Sequence, residues 1–324
     1  MTNLFVIARK ELRDALRSKQ ILLLVTFLCV AILVSVWVAA SAFAVKMNDY
    51  NTYLAALSPQ LKAQALARPQ LFPLTLLKSG IEYLEMIGAL FAFIIGFTSV
   101  SRERSRGTSL LLLSRPIRKQ DIIFGKILGL SIIWAGVLAS VFITSLGAIL
   151  LIGHGQLHLI DYLRLLIAFF AAGVYLLFWT IFAVAITSRM REFSSAILVG
   201  ITSWLIVVLI LPQIGDTMDP DNQIPGGLFG SLGIIKSNEI SILSHFHSFD
   251  VIRNGIEVTS ITKLFERVAF AFLGVKDKYN QLSLASVATA LGTSIIAILV
   301  LTFAIGFVTL MISNNEQTLR RRSS

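Results

Sequence analysis

The sequence predicts an all-α, polytopic membrane protein with six transmembrane helices, and three observations carry that prediction. Of its 324 residues, 56% are hydrophobic and only 14% are charged, whereas a soluble domain is about a quarter charged. Six apolar runs are each long enough to cross ~30 Å of hydrocarbon at 1.5 Å per residue, which takes about 20 residues. The basic residues fall mainly in alternate connections between those runs.

The runs are Ile21 to Val45, Ile81 to Val100, Ile127 to Ile152, Leu163 to Thr187, Ser194 to Leu211 and Ala285 to Ile312. Each exceeds a barrel strand in length and none alternates polar with apolar, so helices are the spanning element. One set of connections holds Arg9, Lys10, Arg13, Arg17, Lys19; Arg102, Arg104, Arg106, Arg115, Arg118, Lys119, Lys126; Arg189, Arg191; and Arg320, Arg321, Arg322, which is 17 of the 28 basic residues in the shorter share of non-membrane sequence. By the positive-inside rule both termini and the loops after runs two and four are cytoplasmic. The net charge of +10 therefore has a topogenic cause, and no nucleic-acid partner is needed to explain it.

Residues 1–20 are read as a cytoplasmic interfacial helix. Phe5, Ala8, Leu12, Ala15 and Leu16 share one face, and Arg9, Lys10, Arg13 and Arg17 take the other, a pattern suited to lying in the headgroup plane. Ala40-Ser41-Ala42 resembles a signal-peptide cleavage site. However, the preceding charged region mixes both signs and the apolar stretch exceeds the usual 7 to 15 residues, so the run reads as a retained span. The single cysteine, Cys29, lies in that run and forms no intrachain disulfide.

Runs one to five occupy residues 21–211. Between the first two, the external segment 46–80 contains Ser58-Pro59 and an Ala/Leu/Gln/Lys stretch to Ala67, which predicts a short helix. Residues 212–284 form a longer external segment. In it Ile261, Leu264, Phe265, Val268, Ala269, Phe272 and Leu273 repeat at helical spacing between Ser260 and Gly274. That predicts an amphipathic helix lying on the outer membrane surface or covering the mouth of the bundle. Residues 285–324 supply the sixth span and a basic cytoplasmic tail. Gly125-xxx-Gly129 offers a close helix contact.

The loop at 101–121 reads SRERSRGTSLLLLSRPIRKQD. A topogenic loop needs only Lys and Arg, yet this one adds Glu103, a Gly107-Thr108 break, Leu110, Leu111, Leu112 and Leu113, and an Arg115-Pro116 turn. Thr108 can cap a short helix that Pro116 ends. Four leucines in the cytoplasm require a cover, either a partner or the membrane surface.

The pattern Glu103-Arg104, Gly107-Thr108, Leu-Leu-Leu-Ser-Arg-Pro-Ile and Gly125-Lys126 resembles the first cytoplasmic loop of the membrane subunits of type-two ABC exporters. It is most similar to the branch with the nitrous-oxide-reductase maturation and gliding-motility permeases. Ala8-Arg9-Lys10-Glu11-Leu12-Arg13 also resembles that family's interfacial helix, here Phe5, Arg9, Lys10, Leu12, Arg13 and Leu16. The resemblance implies a permease subunit in a prokaryotic cytoplasmic (inner) membrane. It would pair with a second permease copy or a related permease and dock onto two cytoplasmic ATP-binding-cassette subunits that bind Mg-ATP. The coupling element it implies is Arg102, Glu103, Arg104, Gly107, Thr108, Leu110 to Leu113, Arg115 and Pro116, with a secondary contact at Arg189, Arg191 and Glu192. The long external segment departs from the family's common pattern.

Enzymatic chemistry of its own is not predicted. Gly125-Lys126 lacks the upstream glycine and the following Ser or Thr of a phosphate-binding loop, so ATP hydrolysis is expected on a partner chain and no cofactor on this one. His154 and His158, and His245 and His247, lack a third ligand and read as ordinary interfacial histidines. Asp216, Asp219, Asp221 and Asn222 lack the glycine and glutamate of a calcium loop. Glu82, Glu85, Lys126 and Arg164 fall near run ends and read as anchors, with a gating role for the two glutamates as the alternative. Trp37, Trp134, Trp179 and Trp204 read as packing or interface residues.

The expected function is ATP-driven export by alternating access of an amphiphilic or apolar cargo such as a lipid, peptide or drug, since the runs carry almost no charge. A variant is ATP-driven force transmission to an external partner through residues 212–284. A secondary transporter would need ionisable residues in mid-span or paired broken helices. A membrane scaffold would show no nucleotide-dependent movement.

Overall fold

The structure, a computed structural model, describes residues 3–57, 69, 71–105, 119–153, 156–218, 232, 247–276, 279–280 and 282–314. All regular structure among them is helical. In chain order the helices are α1 (Asn3–Leu16), α2 (Lys19–Ala56), α3 (Lys78–Tyr83), α4 (Ala89–Ser105), α5 (Lys119–Leu151), α6 (Leu159–Arg189), α7 (Phe193–Trp204), α8 (Leu211–Thr217), α9 (His247–Thr259), α10 (Ile261–Phe272), α11 (Leu284–Ala290) and α12 (Gly292–Asn314). A 3-10 turn at Pro73–Leu77 leads into α3. Turns of π-helix at Leu84–Gly88 and Leu205–Ile210 join α3 to α4 and α7 to α8. Six stretches are long and apolar enough to cross a membrane: Lys19–Ala56, Pro73–Ser105, Asp121–Leu151, Leu159–Arg189, Phe193–Thr217 and Gly292–Ile312, here spans 1 to 6.

The helices outrun the apolar sequence. Span 1 continues through the polar stretch Lys46 to Ala56, and span 2 starts at Pro73, so helix occupies both ends of the connection read as external. The helix expected at Ser58 to Ala67 lies outside the described residues. Span 5 runs through Pro212 to Thr217. The last apolar run divides at Leu291 into α11 and α12, with Gly292 opening the second helix.

Pro212 is tolerated because of the π turn before it. The Leu211 N–H reaches back five residues to the Ile206 carbonyl. The next donor in that register would be Pro212, which has no N–H, and the Ser260 hydroxyl donates to the Val207 carbonyl instead, at 2.9 Å. In a bilayer a backbone carbonyl without a donor is costly, so Ser260 completes the turn.

The chain divides into two units. The first comprises Met1–Gly88, Gly125–Gly173 and Val268–Ala290. Its span 1 buries Leu24, Leu28, Ile32 and Val36, spaced four apart on one face, while Leu22, Leu23, Val30, Val34, Trp37 and Val38 are exposed, as lipid-facing residues are. Gly80 receives Ile32 at a distance where an added Cβ would stand 3.0 Å from Ile32 Cγ1. Phe142 and Phe169 meet edge to face with centroids 5.4 Å apart. Trp134 is buried.

The second unit comprises Ala89–Phe124, Val174–Arg267 and Leu291–Ser324. Gly96 lies against the Thr180 carbonyl and Gly200 against the Phe93 ring, both too closely for any side chain. Small residues permit such helix approach in membranes. Phe93, Phe97 and Phe193 form one aromatic chain, and Phe178, Trp179 and Phe182 another.

Helix α10 differs from a surface-lying helix. Its sequence is amphipathic, yet Ile261, Thr262, Lys263, Leu264, Phe265, Val268, Ala269, Phe270 and Phe272 are all buried. Tyr175 of span 4 stacks on Phe265 at 4.8 Å between centroids and shares a hydrogen bond with Thr262. Ser260 caps the helix start, accepting the Lys263 N–H. Gly274, at φ +70°, ends it: the Gly274 and Val275 N–H groups return to the Ala271 and Phe270 carbonyls. The charged face is neutralised locally, which is what permits its burial. Lys263 Nζ lies 2.7 Å from both Asp216 Oδ1 and Glu266 Oε2, and Arg267 pairs with Glu257 and Asn254. Burial pushes the Lys263 ammonium down, but those two carboxylates outweigh it and hold its pKa above the ordinary lysine value.

Candidate functional site

The residues expected to couple to a partner begin in the last turn of span 2. Arg102, Glu103 and Arg104 are helical and half-buried. Gly107, Thr108, Leu110, Leu111, Leu112, Leu113, Arg115 and Pro116 lie outside the described residues. The secondary contact, Arg189, Arg191 and Glu192, forms the turn between spans 4 and 5 and is exposed.

Arg104 joins these two places. Its Nη1 donates to the Thr187 carbonyl at 2.7 Å and the Met190 carbonyl at 3.0 Å, and its Nη2 donates to the Arg191 carbonyl at 3.0 Å. Its guanidinium also lies over the Phe193 ring, 4.9 Å from the centroid. Those carbonyls belong to the end of span 4, where the last helical carbonyls have no backbone donor and a cation is favoured by the helix dipole. One planar side chain thereby fixes the turn whose basic residues point outward. The sequence marks Arg104 as basic, but the carbonyl cluster it serves, more than 80 residues away, leaves no signal.

A second arrangement, within the first unit, seats α1 on span 3. Glu11 Oε1 accepts from Lys126 Nζ at 3.0 Å, with both side chains 6% exposed. Lys10 also reaches Glu11, at 3.3 Å. Gly125 and Gly129 let the α1 backbone approach: an added Cβ at Gly125 would stand 3.0 Å from the Leu4 carbonyl, and one at Gly129 would stand 2.9 Å from the Ala8 carbonyl. The face of α1 packed on the protein is therefore Ile7, Ala8 and Glu11. Phe5, Arg9, Arg13 and Leu16 are exposed, while Lys10 and Leu12 are half-buried. Lys126 lies two turns inside a helix that starts at Lys119, and pairing with Glu11 is what permits its burial.

The other candidate residues separate. Glu82 is exposed and 3.8 Å from Lys78, as an anchor would be. Glu85 is 6% exposed in the π turn of span 2, twelve residues after the start of that helical stretch at Pro73. His158 is exposed, its N–H bonded to Asp161; His154, His245, Asp219, Asp221 and Asn222 lie outside the described residues. Trp134 and Trp179 are buried, and Trp37 is exposed.

The comparison with protein families decides what this helix bundle is. The model described as ABC-2 family transporter protein matches residues 5–312. The chain belongs to the ABC-2 transporter family. The match covers most of α1 and all six spans. Membership supports a multi-pass permease acting in a membrane together with ATP-binding-cassette subunits. No curated protein matches the chain.

Proposed function

We propose that this chain is the permease half of an ATP-driven exporter, without catalytic residues or a cofactor of its own. Two copies, or one copy and a related permease, form the path, and separate subunits hydrolyse Mg-ATP. The region 102–116, together with Arg189, Arg191 and Glu192, receives their movement. The observation that carries this reading is the grip of Arg104 on the carbonyls of Thr187, Met190 and Arg191. Force applied to the loop that follows Arg104 reaches the end of span 4 through three charge-assisted bonds. The proposed cargo is amphiphilic or apolar, in keeping with spans that carry almost no charge.

The test uses the permease reconstituted with its ATP-binding subunits. Arg104→Ala should leave assembly intact, and beyond the modest drop in melting temperature that the lost carbonyl bonds cause it should lower substrate-stimulated ATP hydrolysis about tenfold or more, the scale of one lost charged contact. Arg104→Lys, which keeps the charge but not the planar fork, should fall between. Stimulation unchanged in Arg104→Ala would defeat the proposal.

A further inference from the structure

Span 5 changes register half-way along. From Leu205 to Ile210 it is π-helical, and the Leu211 N–H reaches the Ile206 carbonyl five residues back. In an α turn the same N–H would go to Val207. Turns of π-helix are rare and concentrate at functional sites.

Pro212 leaves one carbonyl short in either register, because it has no N–H. In the π register that carbonyl is Val207, five residues before the proline; in the α register it would be Val208, four before. The Ser260 hydroxyl donates to Val207 at 2.9 Å and so selects the π form. Without that donor the preference reverses, since a bare carbonyl inside a bilayer is costly and the α turn is otherwise the common choice.

The contacts at the far end of span 5 are arranged to follow such a switch. Passing from π to α takes one residue out of the turn and carries α8 through about 100° of rotation and about 1.5 Å of rise. Ile214 would then take the place of Gly215, where an added Cβ already stands 3.0 Å from Glu257 Cγ, so α8 has to part from α9. Asp216 would swing away from Lys263, whose Nζ it meets at 2.7 Å. The ammonium is not left unpaired, because Glu266 on α10 itself also lies 2.7 Å from it. Meanwhile Arg267 still joins α10 to α9 through Glu257, and Phe265 still stacks on Tyr175 of span 4.

We propose that span 5 is a two-register element: Ser260 and the Asp216–Lys263 pair hold the π form, and release of both lets the turn relax to α and separates α8 from α9 and α10. Packing with two discrete arrangements turns the loss of a few contacts into a defined movement. The device lies within this chain and needs nothing of the coupling role proposed above, so either can fail without the other.

The test measures the distance between spin labels on Gln213→Cys and Val258→Cys, both exposed positions, by double electron–electron resonance. It uses the full-length chain in phospholipid nanodiscs, with the native cysteine replaced by Cys29→Ser. The labelled reference should give one main distance. Ser260→Ala should add a longer one and raise its share relative to the first at least about fivefold, the scale of one lost buried bond. Ser260→Thr, which keeps the hydroxyl, should match the reference. Asp216→Asn should also raise the longer distance while Glu266 keeps Lys263 paired, and it carries the test if Ser260→Ala does not fold. A serine with a purely structural role would lower the melting temperature and leave the distance unchanged. That result, or an unchanged distance in Asp216→Asn, overturns the proposal.

Discussion

Ser260 matters because of a proline that lacks a donor. Pro212 offers no N–H to the Val207 carbonyl, and the Ser260 hydroxyl supplies the donor at 2.9 Å. Ser260→Ala should cost about 1 to 3 kcal/mol, the price of a buried unsatisfied carbonyl. In the Pro212→Ala background the same change should cost clearly less, since the backbone regains a donor; thermal unfolding of the four proteins in detergent measures the coupling. The Glu11–Lys126 pair obeys a different rule. Breaking a buried ion pair leaves an uncompensated charge, worth about 3 to 5 kcal/mol, so Glu11→Gln should lower the melting temperature markedly. Glu11→Leu with Lys126→Met should recover most of that loss, and a double variant no better than the single one would contradict this reading of the contact.

At the scale of elements, α10 shows how a charged helix is kept buried. The ammonium of Lys263 faces Asp216 and Glu266, which raise its pKa above the ordinary lysine value despite burial. A base whose pKa is raised on folding stabilises the fold fully below its unfolded value and loses that contribution as pH climbs through the folded value. The difference in melting temperature between wild type and Lys263→Met should therefore hold steady across the neutral range and shrink above pH 10.5. A difference that grows with alkalinity would contradict the assignment. The six spans were legible in the sequence because hydrocarbon demands runs of about 20 apolar residues. Their ends were not, because hydropathy reports the bilayer whereas a helix such as α2 continues through polar residues to Ala56. For the same reason Glu85 falls near a run end in sequence although helix begins well before it, and its burial against the protein carries no sequence signal. The burial of α10 was hidden because its charges are neutralised by partners on α8 and α9 that no periodicity reveals. Gly125-xxx-Gly129 was the one tertiary contact visible beforehand, since glycine spacing carries a packing meaning of its own.

For the molecule as a whole, each unit holds a candidate element on which a motor subunit could act. In one, α1 is seated on span 3 by Glu11, Lys126 and two glycines; in the other, Arg104 binds the end of span 2 to the turn after span 4. The sequence pointed to the residue set 102–116 and 189–192, and the structure adds the Arg104 link that a one-dimensional reading cannot contain. Membership in the ABC-2 family makes an ATP-binding partner the expected source of movement. The most direct measurement is co-purification of the tagged permease with its ATP-binding subunit, comparing wild type with a variant carrying Arg104→Glu and Leu111→Asp. Stable association of wild type and its loss in a variant that still folds is the predicted result; equal association and equal ATPase activity in the two proteins would contradict the account.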